Sequence, residues 1–207
     1  AVWISAPFFT AYMLRDLKMS YITYTVLHAT PIIVKLVMFP IWGRAADSFG
    51  SRRVLSLSGY LMPLVPIVWC LSASPYYIFF AQVYSGFIWG AFEISSFNFI
   101  FDTTSPQKRA TCVAYYNVIN GAAIISGAML GGVIVRYNNV FWSQYLLVFI
   151  ISGILRYAAS FIFLPKVREV RDVETIGYPA LLLKVVATLP TMGIIYNLIP
   201  LRRNRPD

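Results

Sequence analysis

Three ionisable side chains stand inside long apolar stretches of the sequence: Lys35, Glu93 and Arg156. Each lies eight or nine residues before the basic or polar end of its stretch. At 1.5 Å of rise per helical residue, all three lie at about the same depth, roughly 12–14 Å from that end. One acid and two bases at one level can form a buried charge cluster. We therefore predict that Glu93 pairs with Lys35 or with Arg156.

A paired carboxylate in an apolar helix can carry a proton or couple to a bound solute, with Glu93 as the titrating group and a base that tunes it. Two structural alternatives stay open. The pair could be a purely structural ion pair, or the long side chain of Lys35 could extend to the nearest polar surface. Arg156 could likewise belong to a purely structural ion pair.

Further polar side chains recur at helical spacing and predict which helix faces point inward. One face carries Gln82, Ser85, Trp89, Glu93 and Ser96, and a second carries His28, Pro31, Lys35 and Trp42. A third face carries Asn117 and Asn120 with Gly127 and Gly131, and these asparagines could contact a solute or bond a neighbouring helix. The candidate pathway residues are Glu93, Lys35, Arg156, Gln82, Trp89, Asn98, Asn117 and Asn120. The paired glycines in Gly86–Gly90 and Gly127–Gly131 favour close helix packing.

Catalytic and metal-binding patterns are missing from the sequence. It has one histidine, His28, and its two cysteines, Cys70 and Cys112, are far apart. It has no phosphate-binding Gly-Lys-Ser/Thr loop and no acid pair on a shared face. We therefore expect no enzyme activity, no metal and no cofactor.

The composition places these residues in a membrane. Hydrophobic residues make up 58% of the 207 residues, charged residues 12%, and the mean hydropathy is +0.67. Soluble domains are about 45–50% apolar and about 25% charged. The net charge of +9 does not indicate a nucleic-acid partner, because the basic residues lie in short clusters between apolar runs.

Six apolar stretches predict six membrane helices in an all-α bundle. The first is too short to cross, and we expect it to be the clipped end of a longer span. The third has no charge and is expected to face lipid. The stretches are 1–14, 21–42, 54–71, 76–101, 112–135 and 140–164.

Basic residues orient the predicted bundle. One set of connections carries only Arg15, Lys18 and Arg136. The other set is richer and should be cytoplasmic, with both chain ends on that side. We divide the chain into a bundle, 1–165, and a basic cytoplasmic tail, 166–207. The apolar part of the tail, 180–200, predicts an amphipathic helix on the membrane surface rather than a seventh crossing. The richer set is Arg44, Arg52, Arg53, Lys108, Arg109, Lys166, Arg168 and Arg171.

A motif joins the second and third stretches: Gly43-Arg44-Ala45-Ala46-Asp47-Ser48-Phe49-Gly50-Ser51-Arg52-Arg53. Its glycines predict a tight turn, and Asp47 is expected to pair with an arginine or a helix N-terminus. The simpler alternative is a basic loop that only anchors the topology. The motif resembles the cytoplasmic loop signature of the major facilitator superfamily, although Ser48 and Ser51 replace residues that are commonly basic. The candidate gating residues are Gly43, Arg44, Asp47, Gly50, Arg52, Arg53, Asp102 and Arg109.

Other stretches resemble the C-terminal half of bacterial facilitator proteins, over about residues 1–171. The resemblance implies a twelve-helix secondary transporter in a bacterial inner membrane, working by alternating access and proton-coupled. It also implies a missing N-terminal six-helix half as partner, the lipid bilayer and an unknown small-molecule substrate. The alternatives are a non-transporting scaffold or sensor with the same fold, and a half-size transporter that works as a dimer. The resembling stretches are 6–9, 12–14, 40–43, 98–102 and 114–117.

Near the end of the fourth stretch, Asp102 is followed by a Thr-Thr-Ser-Pro turn and then by Lys108 and Arg109. A salt bridge across this turn and fully solvated charges are equally compatible with the sequence.

Overall fold

The computed structural model describes residues 1–138, 143–169, 173 and 176–188. Within these residues the secondary structure is helical, with a π-helical turn at Tyr12–Asp16 and 3-10 turns at Pro106–Lys108 and Leu164–Lys166. The α-helices are α1 (Val2–Ser5), α2 (Phe8–Ala11), α3 (Tyr21–Phe49), α4 (Ser51–Leu61), α5 (Leu64–Val68), α6 (Pro75–Thr103), α7 (Arg109–Tyr137), α8 (Leu146–Phe163) and α9 (Tyr178–Ala187).

In this part of the chain, three helical segments are both long enough and apolar enough to cross a membrane: Tyr21–Phe49, Pro106–Tyr137 and Leu146–Lys166. Helix α6 has the same length as α3, 29 residues. Its apolar sequence also contains Glu93 and several serines and tyrosines. The predicted spans 21–42, 76–101 and 112–135 each lie within one continuous helix.

The first and third predicted spans are interrupted. The first divides into α1 and α2 at Pro7, and the third divides into α4 and α5 at Met62 and Pro63. Proline causes the second break because it has no N–H to donate to the carbonyl four residues earlier. The carbonyl that Pro63 leaves unpaired belongs to Gly59, and Ser160 of α8 donates its hydroxyl to it at 2.7 Å. A side chain from another helix therefore stabilises the break.

The expectation that the third span faces lipid is wrong for α4, which has buried residues at Ser51 and from Val54 to Gly59. The reason is size: Ser56, Ser58 and Gly59 are small, so neighbouring helices approach the α4 backbone closely. A Cβ on Gly59 would lie 2.8 Å from Leu164 Cδ1, just beyond α8.

Glycines also set the contact between α3 and α6. A Cβ on Gly86 would lie 2.6 Å from the carbonyl oxygen of Pro31 and 2.8 Å from Cβ of Val34. Gly127 allows α7 to approach α1 equally closely, because a Cβ there would lie 2.7 Å from Cβ of Trp3. Both glycine pairs therefore lie at helix contacts, and the packing interpretation is confirmed.

Large apolar side chains remain exposed along α3 and α7. On α3 they include Tyr21, Ile22, Val26, Ile33, Leu36 and Val37. On α7 they include Tyr115, Val118, Ile119, Ile125, Met129, Leu130 and Val133. Such extended apolar faces are typical of surfaces that meet lipid or another protein segment.

Helix α9 packs against the basic end of α3. Its Leu181 and Val185 are 0% and 3% exposed and pack in one core cluster with Ile41, Trp42 and Ala45. A helix therefore forms where the tail was expected to have one, but it begins at Tyr178 and lies directly on the bundle. The rest of the predicted tail helix, with Arg202, Arg203 and Arg205, lies outside the described residues, as does Arg171.

Candidate functional site

The predicted ion pair forms between α3 and α6. The Lys35 ammonium lies 3.0 Å from both carboxylate oxygens of Glu93. The side chains are 26% and 36% exposed, so the pair is partly sheltered and still reachable from outside the bundle. Close approach at Gly86 brings the two helices near enough for the side chains to meet. This confirms the prediction that Glu93 pairs with Lys35 or with Arg156.

The ion pair lines a cavity of about 440 Å³, which we call the central cavity. Gln82, Ser85 and Trp89 of α6 line it with Glu93, as the predicted face requires. Its lining residues are Val2, Trp3, Ala6, Phe9, Thr10, Met13, His28, Pro31, Ile32, Lys35, Val65, Trp69, Gln82, Ser85, Trp89, Glu93 and Arg156.

The chemistry of the central cavity is mixed. Aromatic rings such as Trp3 and Trp89 form apolar walls, and the ion pair and Gln82 add polar groups. Gln82 is 7% exposed and lies among the lining residues. Ligand pockets commonly combine apolar walls with a few placed polar groups of this kind. The cavity can therefore hold an amphipathic small molecule.

Arg156 lines the same cavity but is bonded elsewhere. It is 4% exposed, and its guanidinium donates to Ser152 Oγ at 3.2 Å and to Ser5 Oγ at 2.9 Å. It also donates to the backbone carbonyls of Met62 at 3.4 Å and Val2 at 3.3 Å. These contacts tie α8 to α1 and to the break between α4 and α5. Because they occupy most of its N–H groups, the geometry favours the structural interpretation of Arg156.

The serines in this network were not predicted from the sequence. Ser5 and Ser152 also hydrogen-bond each other, at 2.9 Å between their Oγ atoms. Both are fully buried. Their signal in the sequence is weak, because serines inside apolar helices usually bond their own backbone.

The predicted asparagines lie away from the central cavity. Asn120 accepts a hydrogen bond from Trp3 Nε1 at 3.4 Å. It therefore bonds a neighbouring helix, α1, which is one of the two alternatives that the sequence left open. Asn117 is exposed on α7, and Asn98 is half-buried on α6. None of the three is among the residues that line the cavity.

The motif region is more helical than predicted. Helix α3 continues through Gly43 to Phe49, so the tight turn expected at Gly43 is wrong, and a Cβ there would meet nothing within 4 Å. The turn is confirmed at Gly50, which has φ of +93° and separates α3 from α4. A side chain at Gly50 would also collide with the carboxylate of Glu169.

Glu169 makes a contact with the motif that the sequence did not reveal. Its Oε2 accepts a hydrogen bond from the backbone N–H of Arg52 at 3.0 Å, in the first turn of α4. A carboxylate at this position satisfies an otherwise unpaired donor and interacts favourably with the helix dipole. Since 117 residues separate the two partners, no local pattern could have indicated the contact.

Ser51 of the motif and the charges near the end of α6 make separate contacts. Ser51 donates to Asp102 Oδ2 at 2.8 Å, and Arg109 donates to the carbonyl of Phe101 at 3.3 Å. These contacts lie at the turn for which the sequence allowed either a salt bridge from Asp102 to Lys108 or Arg109, or solvated charges. Two further motif arginines bond backbone carbonyls four residues earlier: Arg44 to Pro40 at 3.3 Å and Arg53 to Phe49 at 3.5 Å. Asp47 is exposed at the same end of α3.

The family follows from comparison with known proteins. The model of the Major Facilitator Superfamily matches residues 1–201. The chain belongs to the major facilitator superfamily. It is therefore an all-α integral membrane protein from a family of transporters rather than enzymes, in agreement with the helices described above.

Several curated proteins are similar to the chain. A human protein, Solute carrier family 67 member A1, is 27% identical over 62% of this chain and 31% of its own length. The class G tetracycline resistance protein of Vibrio anguillarum is 30% identical over 49% of this chain and 26% of its own length. The puromycin resistance protein pur8 of Streptomyces alboniger is 26% identical over 50% of this chain and 21% of its own length. The chain thus spans less than a third of the length of each of these relatives. No solved structure matches the chain.

Proposed function

We propose that this chain is the C-terminal six-helix half of a secondary transporter, which moves a small molecule by alternating access. The Lys35–Glu93 ion pair in the central cavity carries this proposal. An ionisable pair inside a membrane bundle is costly and marks substrate or proton pathways in transporters. In this proposal Glu93 is the group that exchanges a proton as the solute binds, and Lys35 is its ion-pair partner when the solute has left.

The partner in this proposal is an N-terminal six-helix half that covers the exposed apolar faces of α3 and α7. The two halves would rock against each other around the central cavity. The basic ends of α3 and α8 then lie in the cytoplasm, with α9 on that side, and the membrane is a bacterial inner membrane. The residues at these basic ends, including Asp102, Arg109 and the motif, would control closure on the cytoplasmic side.

The cavity supports transport over a non-transporting scaffold. A scaffold would be stabilised by an apolar, filled interior, whereas here the ion pair and Gln82 face an open space of about 440 Å³. The names of the relatives supply the first compounds to test, because tetracycline and puromycin resistance proteins are among them. We propose outward movement of such amphipathic compounds as the first direction to assay.

The experiment uses the complete transporter, with this chain joined to its N-terminal half, in inside-out membrane vesicles. A pH-sensitive dye reports proton movement when tetracycline, puromycin or another amphipathic compound is added, and a radiolabelled compound reports its uptake. We expect Glu93→Gln to abolish proton movement and proton-driven accumulation while exchange of compound between the two sides persists. Asp16→Asn, which removes an acid outside the cavity lining, should leave both unchanged.

Two results would overturn the proposal. Proton movement that persists unchanged in Glu93→Gln would remove this residue from coupling. Wild-type vesicles that transport none of a broad panel of compounds, in protein shown to be folded, would favour the scaffold.

A further inference from the structure

A second cavity lies at the basic end of the bundle, between α3 and α9, and we call it the α3–α9 groove. Its volume is about 370 Å³. Most of its lining is apolar, and two cations, Arg44 and Lys184, contribute the charge. The apolar lining residues are Ile41, Ala45, Phe49, Val185 and Ala187.

The charge of the α3–α9 groove is purely positive. No acidic residue lines it, and neither Arg44 nor Lys184 forms a salt bridge with any acid in the described ranges. Arg44 uses its Nε to bond a backbone carbonyl of its own helix, which leaves its terminal N–H groups available. The Lys184 ammonium lies 4.6 Å from the centre of the Phe49 ring, and this cation–π contact holds it over the groove.

The location adds a second constraint. Ile41 and Ala45 belong to the apolar length of α3, whereas Arg44 and Ser48 are exposed near its end. The groove therefore passes from apolar lining to two cations where a membrane helix reaches the polar surface. A ligand that fits must have an apolar body that continues into the bilayer and a negatively charged head.

We propose that the α3–α9 groove binds an anionic phospholipid, whose phosphate contacts Arg44 and Lys184 and whose acyl chains lie along Ile41 and Ala45. Basic pockets between membrane helices are known to take such headgroups. The occupant is a membrane lipid rather than a free anion, because most of the lining would gain nothing from an inorganic ion. Docking of α9 completes the site, since Lys184 and Val185 form one of its walls. The proposal does not depend on transport.

The test is native mass spectrometry of the intact protein, released from nanodiscs that contain phosphatidylcholine and phosphatidylglycerol. We expect one phosphatidylglycerol to stay bound to the wild type at detergent conditions that remove the others. Each lost cation near a lipid surface weakens anionic lipid binding about fivefold, so Arg44→Gln with Lys184→Gln should weaken retention about twenty-five-fold. Lys108→Gln with Lys166→Gln removes equal charge outside the groove and should retain the tightly bound lipid.

Ala187→Trp provides a second variant that keeps every charge but fills the groove. It should also lose the bound phosphatidylglycerol, and circular dichroism would verify that the helices persist. Equal retention by the groove variants and the Lys108/Lys166 control would overturn the proposal. Displacement of the lipid by inorganic phosphate would also overturn it, because the groove would then be a site for free anions.

Discussion

Substituting Gly86 by alanine tests whether the close contact of α3 and α6 builds the ion pair. The new Cβ would lie 2.6 Å from the carbonyl oxygen of Pro31, about 0.8 Å short of the 3.4 Å at which ordinary contact begins. Backbone atoms cannot rotate away, so the two helices must separate by a similar amount. Overpacking of this size costs about 1–3 kcal/mol. Separation also weakens the 3.0 Å contact between Lys35 and Glu93.

Gly121→Ala is the matched control, because a Cβ there meets nothing within 4 Å. Both variants gain the helix propensity of alanine, up to about 1 kcal/mol, so their difference isolates the clash. Unfolding of the purified intact protein in mixed micelles, followed by circular dichroism during titration with a denaturing detergent, measures the free energy of unfolding. We expect Gly86→Ala to be less stable than Gly121→Ala by about 1–3 kcal/mol. Equal stabilities would refute the close contact between the helices.

Two further predictions concern the network around α8. Ser160→Ala leaves the carbonyl that Pro63 cannot bond without a donor, and we expect a loss of about 1–3 kcal/mol in unfolding free energy. The double variant Ser160→Ala, Pro63→Ala restores a backbone N–H and should recover most of that loss, whereas no recovery would contradict the assigned hydrogen bond. Arg156→Lys has too few N–H donors for the four acceptors, so at least one buried acceptor loses its partner and we expect a cost of about 1–3 kcal/mol of stability. Full stability with abolished transport would instead make Arg156 a pathway residue.

The depth of the ion pair was predictable from the sequence. Opposite charges at one level of a membrane bundle gain from pairing wherever their helices meet, so counting residues limited the partner of Glu93 to Lys35 or Arg156. Arg156 shares that depth but bonds serines and carbonyls, and counting could not show this. Pro66 lacks the N–H that would bond the carbonyl of Met62 in a regular α-helix, and that carbonyl accepts instead from the backbone N–H of Val65 at 3.2 Å. Arg156 donates to this carbonyl.

The motif, too, was predictable in part. Gly50 could be identified as a turn, because a glycine beside serine and charged residues marks a helix end. Gly43 carried the same signal but lies inside α3, since an isolated glycine costs a long helix too little to end it. Glu169 contacts Arg52 across 117 residues of sequence, and such a contact exists only when α8 and α4 are packed together.

The sequence by itself determined the membrane environment, the helical class and the faces that carry Glu93 and Lys35. These properties depend on composition and on a fixed helical period, which are local quantities. The tertiary structure decided which charge pairs with which, where prolines break α4 from α5, and that α9 forms a groove with α3. Those outcomes depend on how closely neighbouring backbones approach, which no single segment of sequence encodes.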